Sequence, residues 1–428
     1  MKPCLLLVLA TIASGAQDFA QRGFLDFAAI AFPQAAPNDR GRAVSEALFR
    51  YEASYKLGPR LRLSGGFDAR TDAHQQVERR LHLSLLDRER QRPAFALRRL
   101  SILYSRGRLT LEAGKQFIRW GRTDIVTPTD RFAPQDYLNV IEPDLLAVTA
   151  ARATYGTQAN SIDLVYSPRL TPTRIPLLNQ RWAVLPSDVS IRELAPELPN
   201  GPQWGARYNH VGAVEYSVSA YQGYDYFPLV HIRPAPFQAA LDLQRFYPSM
   251  RMFGGDVAVP LNALTFKGEA AYFTSSNPQT DHYIVYVAQL ERQFGDLFLV
   301  MGYAGQTVTE QHFDTGFSEL RGFTKAILGR AAYTIDVNRS LAFEAAVRRM
   351  LYVEFTHSQS FESFARCHMH AFTALGGVAR EIAYDNLATA VAEHDGRLVR
   401  FLPRFLGFAR EYGFFPHACN PASGWEKD

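Results

Sequence analysis

Alternation of apolar and polar residues, repeated in segments of about ten residues, constrains this chain more than any other feature of its sequence. The pattern runs from Ser45 to Arg349, and Gly, Asn, Asp or Pro separates the segments. Successive side chains of a strand point to opposite faces, so period two predicts β-strands. We expect about a dozen to fourteen strands. The clearest segments are 47–57, 60–70, 108–118, 151–156, 161–167, 213–223, 264–274, 283–294, 297–305, 326–336 and 340–349.

The segment LTFKGEAAYFT at 264–274 illustrates the two faces. Phe266, Ala270 and Tyr272 fall on one face, while Lys267 and Glu269 fall on the other. A strand that separates lipid from a wet lumen needs this division, and aromatic residues near strand ends are typical of membrane interfaces. A soluble β-sandwich or propeller shows the same alternation and stays open as the alternative.

The N-terminus predicts export. Lys2 precedes an apolar run from Leu5 to Ala13, and Ser14-Gly15-Ala16 forms a small-residue cleavage pattern before Gln17. This order is typical of a secretory signal peptide over residues 1–16. A buried N-terminal helix is the alternative interpretation.

Cysteine usage and charge fit an exported protein. Residues 17–349 contain no cysteine, which suits an oxidising compartment. The net charge of +4 on 428 residues is too small to indicate a nucleic-acid surface. No later segment has the 18 or so consecutive apolar residues of a membrane helix. We therefore expect localisation in the outer membrane or periplasm of a Gram-negative bacterium.

Two long irregular stretches, 120–145 and 167–204, interrupt the strand pattern. Connections of this length in a barrel are extracellular loops or fold into the lumen. Charged side chains in and beside them could line a constriction, since rings of charge select ions in pores. The alternative is that each charge is simply solvated. The pore-lining candidates are Lys115, Arg119, Arg122, Asp124, Arg131, Arg169, Arg174 and Arg181.

The block GKQFIRWGRTDIVTPTDRFAPQD, followed by LVYSPRLTPTRIPLLNQRW, resembles outer-membrane porin-like proteins related to alginate-export channels. The resemblance covers roughly residues 24–349 and implies a β-barrel that passes small or anionic solutes. Membrane lipid and a small solute are the partners that it implies.

Residues 350–428 follow a different pattern. Ser360 to Leu375 has apolar positions at helical spacing, and EIAYDN at 381–386 follows as a candidate strand. These motifs, with GRLVRFLPRFLGFAREYGFFPHACN, resemble the catalytic core of IstA-type insertion-sequence transposases, which have a retroviral-integrase-like ribonuclease-H fold. In that family three carboxylates hold two Mg²⁺ ions for phosphoryl transfer.

The resemblance assigns the second of these carboxylates to Asp385. A turn-forming aspartate at a strand end is the alternative role. The first carboxylate has no counterpart before Leu351, and Glu426 is a poor match for the third. Because one ligand cannot hold two metals, we expect an inactive remnant and no cofactor. An intact transposase core would imply Mg²⁺ and DNA as partners.

The sequence therefore predicts a mainly β chimera: a signal peptide (1–16), an incomplete antiparallel outer-membrane-type β-barrel (17–349) and a truncated ribonuclease-H-like α/β fragment (350–428). Three functions compete, namely an outer-membrane channel, a DNA-integrating transposase, and a gene-disruption product with neither activity. We favour the third for this molecule and the first for its ancestry.

Overall fold

A computed structural model of the chain contains two compact units, Met1–Arg348 and Arg349–Asp428. The structure describes residues 7–8, 18–32, 34–36, 38–140, 143–183, 190–235, 240–312, 326–336, 339–347, 360–375, 378, 381–384, 391–395 and 398–418. None of the helices in these ranges is long and apolar enough to cross a membrane.

The first unit is built almost entirely of β-strands. They are β1 (Leu7–Val8), β2 (Phe19–Ala31), β3 (Ala43–Lys56), β4 (Leu61–Asp72), β5 (Leu83–Ser84), β6 (Phe95–Arg106), β7 (Leu109–Gln116), β8 (Gln135–Asp136), β9 (Asp144–Leu145), β10 (Val148–Gly156), β11 (Asn160–Ser167), β12 (Ser190–Glu193), β13 (Gln203–His210), β14 (Glu215–Tyr224), β15 (Leu229–Pro234), β16 (Ala240–Phe246), β17 (Ser249–Pro260), β18 (Thr265–Thr274), β19 (His282–Phe294), β20 (Leu297–Glu310), β21 (Ala326–Asp336) and β22 (Arg339–Val347).

Seventeen of these strands form one sheet, of which β1 and β5 are two residues long. The long strands follow one another as an antiparallel meander from β2 to β22. Short turns such as 107–108 and 295–296 alternate with long connections such as 73–94, 117–147 and 168–202. Short turns at one end and long loops at the other are typical of outer-membrane barrels.

The two ends of this meander do not pair with each other among the described residues. Taking β1 and β5 from the 17 strands leaves 15, so β2 and β22 run in the same direction. An antiparallel ladder cannot join two strands that run in the same direction. Instead, Leu7 and Val8 pair with Leu25 and Phe24 of β2. The sheet is therefore an open antiparallel meander, as a truncated barrel would be.

The two faces of the sheet differ in the polarity of their side chains. The outer face is apolar, and it exposes Val218 (57%), Phe253 (59%) and Met301 (65%). The inner face, on which the described residues of 117–147 pack, buries polar groups such as Asp256 and Glu269 beside an apolar cluster that includes Met252, Phe273 and Val285. Charged side chains buried behind an exposed apolar face are typical of a membrane barrel and uncommon in a soluble protein.

All eleven segments that the alternation predicts are strands, with bounds within a few residues of the expected ones. Four long strands were missed: β2, β6, β13 and β17. In β6 a bulge opposite Gly66 and Phe67 lets the adjacent Arg98 and Arg99 both reach inner-face carboxylates. A bulge inserts one residue and interrupts the alternation.

The irregular stretch 167–204 ends earlier than expected, because β13 begins at Gln203. A small separate sheet forms beyond the meander, in which β16 pairs in parallel with β12 and antiparallel with β15. The other irregular stretch, 120–145, carries the two-residue strands β8 and β9, which pair with each other.

The second unit is mixed α/β. Its elements are α1 (Phe361–Leu375), β23 (Glu381–Tyr384), β24 (Val391–Asp395), β25 (Leu398–Phe401), α2 (Pro403–Tyr412) and β26 (Phe415–Ala418). Strand β23 pairs in parallel with β26, and β24 forms a hairpin with β25.

Local sequence explains both helices of this unit. Ser360 caps α1, since its Oγ accepts from the N–H of Ser363 at 3.3 Å. Helix α2 starts with Pro403 at its N-terminus and ends at Gly413 with a left-handed φ of 74°. Both helices pack on Tyr384 through a core of aromatic side chains that includes Phe364, Phe405 and Phe408.

Candidate channel constriction

Residues 117–147, apart from 141–142, form a loop that packs on the inner face of the sheet. Glu269 of β18, which is 3% exposed, is its main anchor. One carboxylate oxygen accepts from the backbone N–H groups of Arg122 at 2.9 Å and Thr123 at 3.1 Å. The other oxygen accepts from the N–H and the hydroxyl of Thr129, both at 2.8 Å. A buried carboxylate thus replaces the strand partners that this irregular backbone lacks.

Arg122 and Asp124 hold the same loop by their side chains. Arg122 Nε donates to Asp256 Oδ1 at 2.6 Å, and its guanidinium also pairs with Glu215. Asp124 Oδ2 lies 2.7 Å from Gln289 Nε2 and 3.3 Å from Lys267 Nζ. Both predicted candidates therefore lie on the inner face, and each is paired with the opposite charge.

Asp130 shapes the start of the loop. Its Oδ1 accepts from the backbone N–H groups of Trp120 and Gly121, the latter at 2.7 Å. The indole N–H of Trp120 donates to Asp163 of β11 at 2.9 Å. Arg119 lies 3.4 Å from Asp130, and half of its side chain is exposed. These bonds attach the loop to the inner face of the sheet at a second position.

Arg131 is buried and packs against aromatic rings. Its Nη2 donates to the hydroxyl of Tyr226 at 2.9 Å, and its guanidinium carbon lies 5.1 Å from the centre of the Phe273 ring. Burial lowers the pKa of Arg131, but Tyr226 and Asp225 outweigh this effect and raise the pKa overall. The guanidinium stays charged, and cation–π contact compensates part of its desolvation.

Lys115 and Arg174 converge on one buried carboxylate. Lys115 Nζ lies 2.5 Å and Arg174 Nη2 2.9 Å from the oxygens of Asp87. Arg174 also reaches Asp136 at 3.1 Å, and Arg92 reaches the same Asp136 oxygen at 2.9 Å. Two carboxylates and three cations thus form a continuous network between the long connections and the sheet.

This network shifts the pKa values of its carboxylates. Burial raises the pKa of Asp136, but the charges of Arg92 and Arg174 outweigh burial and hold it at about 2. The pKa of Asp87 is lowered too, because Arg174 and Lys115 outweigh its burial. Both groups are ionised at neutral pH, so their two negative charges offset part of the positive charge of the three cations.

Sequence reasoning missed a second set of charges on strands β3, β4 and β6. Arg50 bridges Asp68 at 2.8 Å and Asp144 at 2.6 Å, while Arg98 reaches Asp144 at 3.4 Å. Arg70 lies 2.9 Å from Glu46. The signal was present as charged residues at alternate strand positions, in Glu46, Arg50 and Glu52 and in Asp68 and Arg70.

Together the loop and these strands leave little free space. Asp68, Arg70, Asp136, Asp144 and Arg174 line a cavity of about 30 Å³, which has room for water but for no larger solute. This part of the inner face is packed with ion pairs.

Arg181 and Arg169 lie apart from the network. Arg181 stacks 3.5 Å from the centre of the Phe32 ring and reaches Asp39 at 3.3 Å. Arg169 is exposed, and its backbone carbonyl accepts from Ser167 and Gln203. The eight candidates are thus distributed over several places and do not form one ring.

In the second unit, α1 and β23 lie where the sequence predicts a helix and a strand. Asp385, which follows β23, lies outside the described residues, as do residues 351–359 and Glu426. His368 of α1 lies between two polar groups. Its Nε2 is 3.1 Å from the Tyr384 hydroxyl, and its Nδ1 is 2.9 Å from the Phe364 carbonyl. A carbonyl only accepts, so Nδ1 carries the proton and Nε2 accepts from Tyr384.

Comparison with known proteins gives two kinds of similarity. The chain is 36% identical over 104 residues to a transposase from Aminobacter aminovorans, which is 24% of this chain and 20% of the relative. It is 37% identical over 86 residues to the transposase for insertion sequences IS1326/IS1353 from Pseudomonas aeruginosa, which is 20% of this chain and 17% of the relative. The chain thus spans about a fifth of these relatives. No family model matches it.

Solved structures of porins resemble the fold. A Salmonella typhi OmpF complex with daunomycin aligns with a TM-score of 0.45 and 8% identity, covering 78% of this chain and 91% of that one. A Rhodopseudomonas blastica porin mutant aligns with a TM-score of 0.39 and 8% identity, covering 77% and 94%. One polypeptide therefore combines an antiparallel β-sheet unit with a transposase-like sequence.

Proposed function

We propose that the first unit is an outer-membrane channel for small solutes, derived from a porin-like barrel. The observation that carries this proposal is the exposed apolar outer face, with residues such as Val218 and Met301, behind which charged residues such as Asp256 and Glu269 are buried. Lipid accepts an apolar outer face but no open sheet edge, so β2 and β22, which do not pair with each other among the described residues, would have to pair with further strands in the membrane. An exported chain with this surface has the outer membrane as its natural location.

The loop 117–147 acts as the constriction in this proposal. It lies on the inner face and contacts β11, β14, β17, β18 and β19 through several ion pairs and hydrogen bonds. Each of Lys115, Arg122 and Arg174 has a carboxylate partner within 3 Å. Paired charges cancel each other's field at a distance, so we expect weak selectivity between anions and cations.

Conductance in planar lipid bilayers tests the channel. The purified full chain, folded in detergent, should insert and give stepwise increases in current, with a reversal potential near zero in a KCl gradient. A protein that inserts and protects its strands from protease but conducts no current would refute the channel. A strongly cation- or anion-selective reversal potential would refute the role given to the paired charges.

The transposase-like sequence supports a second candidate function, DNA integration as a transposase, since its relatives are named transposases. We propose that this chain does not perform it, because Asp385 is the one residue in 350–428 that matches a catalytic carboxylate. Two-metal transfer needs ligands on both sides of the phosphate. Strand transfer with Mg²⁺ or Mn²⁺ should be absent; transfer that is lost in Asp385→Ala would overturn this proposal.

We propose further that the fusion arose when a mobile element disrupted a barrel gene. Sequencing the genomic DNA on both sides of codon 350 tests this origin. We expect codons for the missing barrel strands to resume beyond the element. Their absence from the DNA beyond the element would contradict disruption.

A further inference from the structure

Two histidines and a glutamate meet at the rim of the sheet where the long loops lie. His282 is the first residue of β19, Glu310 is the last residue of β20, and His312 follows two residues later. His282 pairs with Glu310 across the two strands, and the register shifts between His282 and Tyr283. Such an irregularity re-aims a side chain at a strand end, and here it brings three metal-ligand types together.

The three side chains are close enough to share one ion. His282 Nδ1 lies 2.9 Å from Glu310 Oε2, and His312 Nε2 lies 3.4 Å from Glu310 Oε1. The ligand atoms of all three residues lie within 4.8 Å of one another. Ligands of a tetrahedral zinc ion stand about 3.3 Å apart, given bonds of about 2.0–2.1 Å. Small side-chain rotations would therefore complete the geometry.

A second contact of His282 fixes the orientation of its ring. Its Nε2 lies 3.1 Å from the backbone carbonyl of Ser275. A carbonyl can only accept, so Nε2 carries the hydrogen, and the neutral ring then presents the lone pair of Nδ1 to the Glu310 carboxylate. A proton on Nδ1 and a metal ion bound between the two atoms would each account for this approach of 2.9 Å.

We propose that His282, Glu310 and His312 form a binding site for a divalent transition-metal ion, with Zn²⁺ as the preferred ion. Two imidazoles and one carboxylate are a ligand set that zinc uses, with water in the fourth position. The Ser275 carbonyl orients the His282 ring, as outer-shell acceptors do for metal-bound histidines. Glu310 is 61% exposed, so an ion can enter from solvent.

Zinc titration of the full chain tests the site. The protein is prepared without a histidine tag, folded in detergent, and titrated with Zn²⁺ in competition with a chromophoric chelator. The variants are His312→Ala and Glu310→Gln. His210→Ala is the matched control, since His210 lies on β13 and contacts Asn160 and Tyr216. We expect saturable binding that weakens by about 10–100-fold in both variants and is unchanged in the control.

Co²⁺ provides a second readout that does not depend on affinity alone. Bound at this site, it should give the visible absorption of a four- or five-coordinate ion, and His312→Ala should abolish that spectrum. Circular dichroism verifies that each variant keeps its β-structure. Zinc binding and a Co²⁺ spectrum that persist in a folded His282→Ala/His312→Ala double variant would overturn the proposal, as would a wild-type chain that binds no Zn²⁺.

Discussion

The substitution Glu269→Gln should release the loop 117–147 from the inner face. One oxygen of Glu269 accepts the N–H groups of Arg122 and Thr123, and the other accepts the N–H of Thr129. A glutamine amide offers one oxygen and one NH₂ group, so at least one of these buried N–H groups loses its acceptor.

The cost follows from these contacts. An orphaned buried donor costs about 1–3 kcal/mol, and the remaining hydrogen bonds lose the strength that the negative charge adds. We expect the loop to be destabilised by about 3 kcal/mol, which raises the population of its open form about 100-fold. The fold of the sheet should persist, because the backbone pairing of β18 with β17 and β19 does not involve the side chain.

Tryptic cleavage after Arg122 and Arg131 measures this population, since these two residues become accessible when the loop opens. When opening is fast relative to cleavage, the rate follows the open fraction, so loop peptides should appear about 100-fold faster by mass spectrometry. Glu112→Gln is the matched control, because Glu112 contacts Arg99 and Ser101 on the same face and not the loop. Cleavage of Glu269→Gln at the wild-type rate would refute the anchoring role.

Three further outcomes follow from the geometry. The pKa of Asp136 is held at about 2, against an ordinary value of 3.8. Its ionised form therefore stabilises the fold by about 2 kcal/mol above pH 4, and this stabilisation is lost as the pH falls through 2. In urea unfolding, Asp136→Asn should lack this pH dependence of stability. Arg174→Ala should cost about 3–5 kcal/mol in urea unfolding, since it breaks two buried pairs, whereas the exposed Arg169→Ala should have almost no effect. Phe405→Ala should destabilise the second unit by about 3–5 kcal/mol, as followed by proteolysis, because Phe405 is fully buried; the exposed Leu406→Ala serves as control.

Most strands of the sheet could be predicted from sequence because a sheet with two different faces gives most of its strands an alternation of period two. The segment 264–274 shows this well: Ala270 and Tyr272 lie exposed and Glu269 lies buried, as the alternation indicates. Strand β2 was missed because the run Phe27 to Ala31 is apolar at every position and shows no alternation. Strand β6 was missed because of its bulge.

The site was harder to predict, since its contacts join residues far apart in the sequence. Lys115, Arg122, Asp124 and Arg174 were identified as charged residues of the right region, but nothing local indicates that Arg122 meets Asp256 or that Asp87 joins two cations. Pairing of this kind depends on how the loop folds back over the sheet. The role of Asp385 stays a prediction, since it lies outside the described residues.

Contact of the outer face with lipid tests the central claim most directly. The native residues Cys4, Cys367 and Cys419 are first replaced, and single cysteines at Val218, Phe253 and Met301 then carry an environment-sensitive fluorophore. Arg169→Cys, labelled in the same way, reports on an exposed loop. In vesicles we predict that nitroxide-labelled lipid quenches the three outer-face positions and aqueous iodide quenches position 169. Quenching of all four positions by iodide, with none by lipid, would show a water-exposed sheet and contradict the membrane-barrel account.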